Sequence, residues 1–222
     1  ATDRTDVRDV FEQKAREEGS KTYELGKDFT AEGSSHSFDF TYEGQRLENI
    51  SLAMAGQHQV ANASLAIMAS LLLQKDYPKV TSGLIKAALA HASWLGRTEF
   101  LMPNLMIDGA HNNESVKVLI DLLRAEYTDK DIELLFAAID TKPIDSMLAQ
   151  LESVGDLTVT SFEYPNSVKL DKYPATYKQV SDFQTWIEEH VTTDKDKLYV
   201  ITGSLYFISQ VRKWILEQAS GV

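Results

Sequence analysis

From Thr98 onward the chain alternates between short continuous apolar runs and longer stretches whose apolar residues recur every three or four positions. Runs at 98–102, 105–107, 133–139, 157–162 and 198–202 predict strands, and the stretches 113–127, 144–152, 183–192 and 205–217 predict helices. Continuous apolar runs suit strands covered on both faces. The alternation therefore predicts an α/β fold, a Rossmann-like, mostly parallel sheet with helices on both faces. Pro103-Asn104, between the first two runs, predicts a hairpin at one edge of that sheet.

Before Thr98 the texture differs. Val7, Val10, Phe11 and Ala15 line one face of a charged stretch that Gly19 stops, which predicts a surface helix. A strand is expected at 22–25, then a polar loop. A hairpin follows in which Phe38, Phe40 and Tyr42 alternate with polar residues up to a Glu43-Gly44 turn, and Gln45–Ile50 returns. A helix opening near Gly56 and running to about Gln74 would bury Val60, Ala63, Ile67 and Leu71, and a second covers Ser82–His91. Trp94-Leu95-Gly96-Arg97 interrupts the pattern, so a domain junction is expected there, with domains at 1–95 and 96–222.

At 222 residues the chain can bury a full core, and its formal net charge is −11. That acidity argues against nucleic acid or an anionic membrane as a partner, since both need a basic footprint. Any phosphate must be held locally. The absence of cysteine excludes disulfides and thiolate metal sites and fits a reducing cytoplasm. No apolar run reaches the roughly 18 to 20 residues of a membrane span, and the first residues show no signal-peptide pattern. Ala1 is not an initiating Met, so the chain is expected to be processed or to be a piece of a longer one.

The chemistry is expected at Leu105-Met106-Ile107-Asp108-Gly109-Ala110-His111-Asn112-Asn113, where an apolar strand delivers small and polar residues to the start of an amphipathic helix. Asn112 or Asn113 would cap that helix, and free backbone N–H groups at its start would suit an anion. Parallel strands would bring Asp108-Gly109, Asp140-Thr141-Lys142 and Gly203-Ser204 to one sheet edge, with Asp108, His111 and Ser204 in one cleft. Each signal also has a plainer reading. Asp108 fits an ordinary turn and Ser204 a helix cap. His58, Gln59 and Asn62 fit helix capping and a solvated face, although amides can also read an adenine edge. Arg97 suits a surface ion pair or a phosphate clamp. A Ser204–His111–Asp108 triad is conceivable but lacks a nucleophile-elbow sequence. His36, His91 and His190 read as surface residues, and no His and carboxylate spacing suggests a metal site in this chain.

Four stretches taken together narrow these choices: Gly56-Gln57-His58-Gln59-Val60-Ala61-Asn62-Ala63, Gly96-Arg97-Thr98-Glu99, Asp108-Gly109-Ala110-His111-Asn112 and Thr202-Gly203-Ser204-Leu205-Tyr206. Their order and intervals resemble folylpolyglutamate synthases and the bifunctional dihydrofolate synthases, within the ATP-dependent Mur ligase superfamily. The Asp-Gly-Ala-His-Asn form is similar to the folate branch, since cell-wall Mur enzymes more often carry Tyr at the position of Gly109. Asn113, where many relatives have Pro, and Pro143 beside Lys142 depart from the pattern.

The resemblance implies a ligase that adds glutamate to a folate, or to dihydropteroate, through an acyl phosphate made from ATP. It implies that Asn62, Arg97 and Asp108 contact ATP, with Gln59 a weaker candidate, and that His111 and Ser204 bind glutamate near Asp108. These three, Asp108, His111 and Ser204, would form the catalytic group. The family's P-loop, modified lysine and Mg²⁺ ligands have no counterpart here: the only Gly-Lys, Gly26-Lys27, is followed by Asp28. Residues 1–95 would then be the last part of a P-loop ATPase domain and 96–222 the whole glutamate-ligase domain, inactive alone, monomeric and cytoplasmic. A cell-wall amino-acid ligase and a non-catalytic nucleotide- or amino-acid-binding module are the alternatives.

Overall fold

The computed structural model describes residues 5–220. It divides into two compact units, 1–93 and 94–222.

In the first unit, helix α1 (Thr5–Glu17) precedes an antiparallel sheet of β1 (Phe29–Gly33), β2 (Phe38–Tyr42) and β3 (Gln45–Ile50), in that order. Helices α2 (Gln57–Leu73) and α3 (Ser82–His91) follow. The β2–β3 hairpin turns through Glu43 and Gly44, both with positive φ as a twisted two-residue turn requires. Phe38, Phe40, Leu47 and Ile50 of the sheet bury against Val60, Ala63 and Ile67 of α2 and Ile85 of α3.

One sequence expectation fails here. Residues 22–25 are not a strand: Gly26 turns the chain at φ +89°, and the Asp28 carboxylate accepts the Glu24 N–H at 2.8 Å, leaving only a single bridge at Leu25. The strand lies instead within the stretch read as a polar loop, in β1, which buries little beyond Phe29 and so shows no alternation. α1 is the expected surface helix, with Val10 and Phe11 each 66% exposed.

The second unit is a six-stranded sheet in the order β4 (Glu99–Met102), β5 (Leu105–Asp108), β9 (Lys197–Gly203), β6 (Asp131–Ala137), β7 (Asp156–Val159), β8 (Lys178–Gln179). β4 pairs antiparallel with β5 as the edge hairpin, and every other pair is parallel. Successive residues of β5 serve opposite faces. Met106 packs with Val116, Leu119 and Leu123 of α4 (Asn113–Glu126) and Met147 and Leu151 of α5 (Ile144–Leu151). Leu105 and Ile107 join Trp186 and Ile187 of α6 (Phe183–His190) and Phe207, Val211 and Ile215 of α7 (Leu205–Ser220). Helices therefore cover both faces, as the apolar runs predict. The sequence reading misses the two-residue edge strand β8 and a 3-10 turn at Leu170–Lys172, both too short to carry a period.

Helix placement opens a crevice. α4 and α5, which leave β5 and β6, lie on one face, while α7, which leaves the intervening β9, lies on the other. The loops after these three neighbouring strands thus part in opposite directions, and the gap falls at their carboxyl ends. Register fixes what stands there: Asp108 pairs with Thr202, and Ala137 with Gly203.

Candidate functional site

Gly203 shows how tightly the strand ends are drawn together. Its φ is +123°, and a Cβ there would lie 2.0 Å from the Ala137 carbonyl oxygen. Only glycine fits, and the turn it makes lets the Ser204 N–H donate to that same carbonyl at 2.9 Å. Ser204 is buried, and its Oγ accepts the Tyr206 N–H at 3.3 Å. A hydroxyl that accepts at the start of α7 still has its own proton to give.

At the neighbouring corner Asn112 caps α4. Its side chain accepts the Ser115 N–H at 2.8 Å, while Ser115 Oγ accepts the N–H groups of His111 and Asn112 at 3.0 and 3.1 Å. Three N–H groups at this corner are thereby spent inside the protein, so the helix start is not the open anion site that the sequence suggests. His111 offers its ring instead. Nδ1 lies 2.7 Å from the Gly109 carbonyl oxygen, which has only lone pairs, so Nδ1 carries the proton. In the tautomer with its proton on Nδ1 alone, Nε2 is an acceptor.

His111, Ser204, Lys142 and Tyr206 line a cavity of about 360 Å³, floored by Phe136 and Met147. Lys142 also borders an adjoining open cleft of about 740 Å³ that holds Lys169, Lys172, Asp140 and Asp145. Lys142 makes no ion pair among the described residues, and the Tyr206 ring stacks on Tyr164 with centroids 4.1 Å apart. Sequence reasoning left the role of Lys142 open and passed over Tyr206. The signal available was their place, in the loop after β6 and in the first turn of α7 after β9.

Asp108 stands at the same sheet edge as His111 and Ser204, and is not among the residues lining that cavity. Its Oδ2 accepts the Thr98 N–H at 2.8 Å, turning the carboxylate toward the chain that leads into β4. The His111 Nδ1 bond to Gly109 likewise rules out a Ser204–His111–Asp108 triad, in which Asp108 would occupy that nitrogen. Burial pushes the Asp108 carboxyl above its usual range, opposed by the Thr98 N–H, the Arg97 charge, the Ala110 N–H and His111. Arg97 is half-buried, with Nη1 3.5 Å from the Gly109 carbonyl oxygen.

Gln59 and Asn62 belong to the first unit, three residues apart on α2. Gln59 is buried and its Oε1 accepts from Asn62 Nδ2 at 3.1 Å, while Asn62 is exposed. Among the described residues no group of three or more His, Asp or Glu side chains is placed to hold a metal ion, and no helix is long and apolar enough to cross a membrane.

No family model matches the chain. Relatives are nonetheless clear. The dihydrofolate synthase/folylpolyglutamate synthase of Bacillus subtilis is 31% identical over 193 residues, covering 81% of this chain and 44% of that protein. The folylpolyglutamate synthase of Lacticaseibacillus casei is 27% identical over 224 residues, 95% of this chain and 52% of that one. The Mycobacterium tuberculosis folylpolyglutamate synthase solved with ADP and AMPPCP superposes with a TM-score of 0.82 at 20% identity, over 95% of this chain and 53% of its own, a likeness of fold. The chain thus spans about half the length of the curated relatives it matches. With sequence likeness along most of its residues and a fold that agrees, it belongs to the folylpolyglutamate synthase/dihydrofolate synthase family.

Proposed function

We propose that the chain forms the glutamate-accepting half of an ATP-dependent ligase that adds glutamate to a folate or to dihydropteroate. The observation that carries this reading is the cavity at the sheet's carboxyl edge, where His111, Lys142 and Ser204 converge over an apolar floor. Free glutamate brings two carboxylates and an amine. Lys142 supplies a cation and Ser204 a hydroxyl for the carboxylates, and His111 Nε2 supplies an acceptor for the amine. In the second unit Arg97 is suited to the phosphates of ATP and Asp108 to its ribose; in the first, Asn62 and, less directly, Gln59 carry amides suited to an adenine edge.

In the reaction, the acceptor's carboxylate attacks the γ-phosphorus and ADP leaves, giving an acyl phosphate. The glutamate amine then attacks the acyl carbon, phosphate departs, and the amine proton is lost. Such steps depend on positioning and charge stabilisation. Residues 1–93 are read as the last part of an ATPase domain and 94–222 as the glutamate-binding domain of a monomeric, cytoplasmic enzyme. The chain contains no Gly-x-x-x-x-Gly-Lys-Ser/Thr to cradle the ATP phosphates, so the chain alone is read as silent.

The test measures ADP release and glutamate addition to a folate with this chain and with a full-length synthase, and follows the His111, Lys142 and Ser204 signals by NMR as glutamate is added to this chain. Silence in the first assay and perturbation of those three residues in the second are expected. Each missing phosphate donor costs roughly 10²- to 10³-fold in comparable sites. Turnover near the full-length rate would refute the missing phosphate site, and unperturbed signals would refute the pocket.

A further inference from the structure

Residues 96–99 follow an unusual path. Gly96 and Thr98 both take left-handed backbone, at φ +72° and +42°. Glycine does so freely, whereas a β-branched residue is an outlier there, at a cost on the order of 1–2 kcal/mol. Among the described residues of the second unit Thr98 is the only non-glycine residue with positive φ. Its side chain gives nothing back: Oγ1 is buried without a hydrogen-bond partner.

The return is in the backbone. The Thr98 N–H donates to Asp108 Oδ2 at 2.8 Å, beside a Gly109 N–H to Gly96 carbonyl bond of the same length. The Arg97 N–H donates to the Trp94 carbonyl at 3.1 Å, and the Gly96 N–H to Glu99 Oε2 at 2.7 Å. Glu99 is itself held by Arg212 Nε at 2.9 Å. The Gly109 carbonyl then receives both Arg97 Nη1 and His111 Nδ1.

We propose that Thr98 is a positioning residue, whose left-handed backbone, pinned to the Asp108 carboxylate, sets Arg97 and Asp108 side by side for a nucleotide. A Thr98 in its preferred helical or extended region would swing its N–H off Oδ2 and carry the adjoining Arg97 away from Gly109. The N–H is the strongest of the influences that hold the buried Asp108 carboxyl down against desolvation, in line with this pairing. The ligand named here rests on the assignment of Arg97 and Asp108 to ATP; the clasp itself does not.

The test compares Thr98→Pro, which removes the N–H and forbids positive φ, with Thr98→Gly, which keeps the N–H and tolerates it. Asp108 is titrated through its side-chain carbonyl ¹³C signal, and ADP and glutamate are titrated separately into each folded chain. With Thr98→Pro the Asp108 pKa should rise above its value in the unaltered chain, and ADP binding should weaken at least tenfold while glutamate binding stays within twofold. With Thr98→Gly both should persist. An Asp108 titration unmoved by Thr98→Pro, or equal loss of ADP and glutamate binding, overturns the proposal. If the titration moves as expected but the unaltered chain takes no ADP, the clasp stands and the nucleotide assignment falls. Should Thr98→Pro not fold, Thr98→Gly is set against Thr98→Ala. The glycine variant should melt higher by about 4 °C, and equal melting temperatures overturn the strain on which the proposal rests.

Discussion

The two flanks of the β5–α4 corner are built on opposite plans. On the Asp108 flank the polar groups are consumed by one another: Thr98 on Asp108, Gly109 on Gly96, Glu99 between Gly96 and Arg212. On the His111 flank they retain capacity. His111 keeps Nε2, Ser204 keeps its proton and Lys142 has no carboxylate of its own, all around a cavity with an apolar floor. A flank whose hydrogen bonds are already made is suited to presenting Arg97 and Asp108 to a ligand in fixed geometry. One with convergent, unspent groups is suited to taking a ligand. Both hang from the same four residues, Asp108 to His111, so a change in either flank can be read against the other.

The largest effect is expected where the flanks share a foundation. Gly203→Ala puts a methyl group 2.0 Å from the Ala137 carbonyl oxygen, at a φ that L residues avoid, and should cost about 4 kcal/mol. Denaturant titration checks it, and a loss below about 1 kcal/mol would mean that the two strand ends can part cheaply.

Next comes the separation of ligands. His111→Ala should weaken glutamate binding about 10- to 100-fold, the equivalent of one hydrogen bond to a charged group, and leave ADP binding within twofold. Arg97→Ala should do the reverse. Calorimetric titrations that show both variants losing both ligands alike would erase the distinction between the flanks.

A smaller effect is expected from the cap of α4. Asn112→Ala releases the Ser115 N–H and should cost about 1 kcal/mol, read as a fall in melting temperature.

The smallest effect has a sign fixed by pH. The Asp108 carboxyl is pushed up by burial, so between the usual carboxylate range and its raised value the folded chain holds more protons than the unfolded one. Stability then falls as pH rises through that window, and at pH 7 the ionised group is a standing cost. Asp108→Asn keeps an oxygen for the Thr98 N–H and removes that cost. Thermal melts should show the variant above the unaltered chain at pH 7, with the gain shrinking as pH falls into the usual carboxylate range. A variant less stable at pH 7 would mean that the charge is compensated on the Asp108 flank after all.

Much of the second unit was legible in the residues themselves. Runs such as Leu198 to Ile201 are apolar at every position because both faces of β9 are covered, and the three-to-four spacing of Val116, Leu119, Ile120 and Leu123 betrays the buried stripe of α4. Elements that bury little were not legible. β1 rests on Phe29, β8 has two exposed residues, and the turn at Gly26 and Asp28 replaced an expected strand through local hydrogen bonds that no hydrophobic period reports.

The site divides along the same line. Strand ends and helix starts follow from pattern, so the gathering of Asp108, His111 and Ser204 at one sheet edge could be argued from sequence alone. Which way each side chain turns could not. That Ser115 takes the N–H groups at the start of α4 is one of several local choices the pattern leaves open, and that Asp108 faces Thr98 and that Lys142 and Tyr206 join His111 depend on contacts between separate elements. Periodicity encodes which face of an element is buried; the hydrogen-bond partner of a polar group is chosen only when the folded chain brings donors and acceptors within about 3 Å of one another.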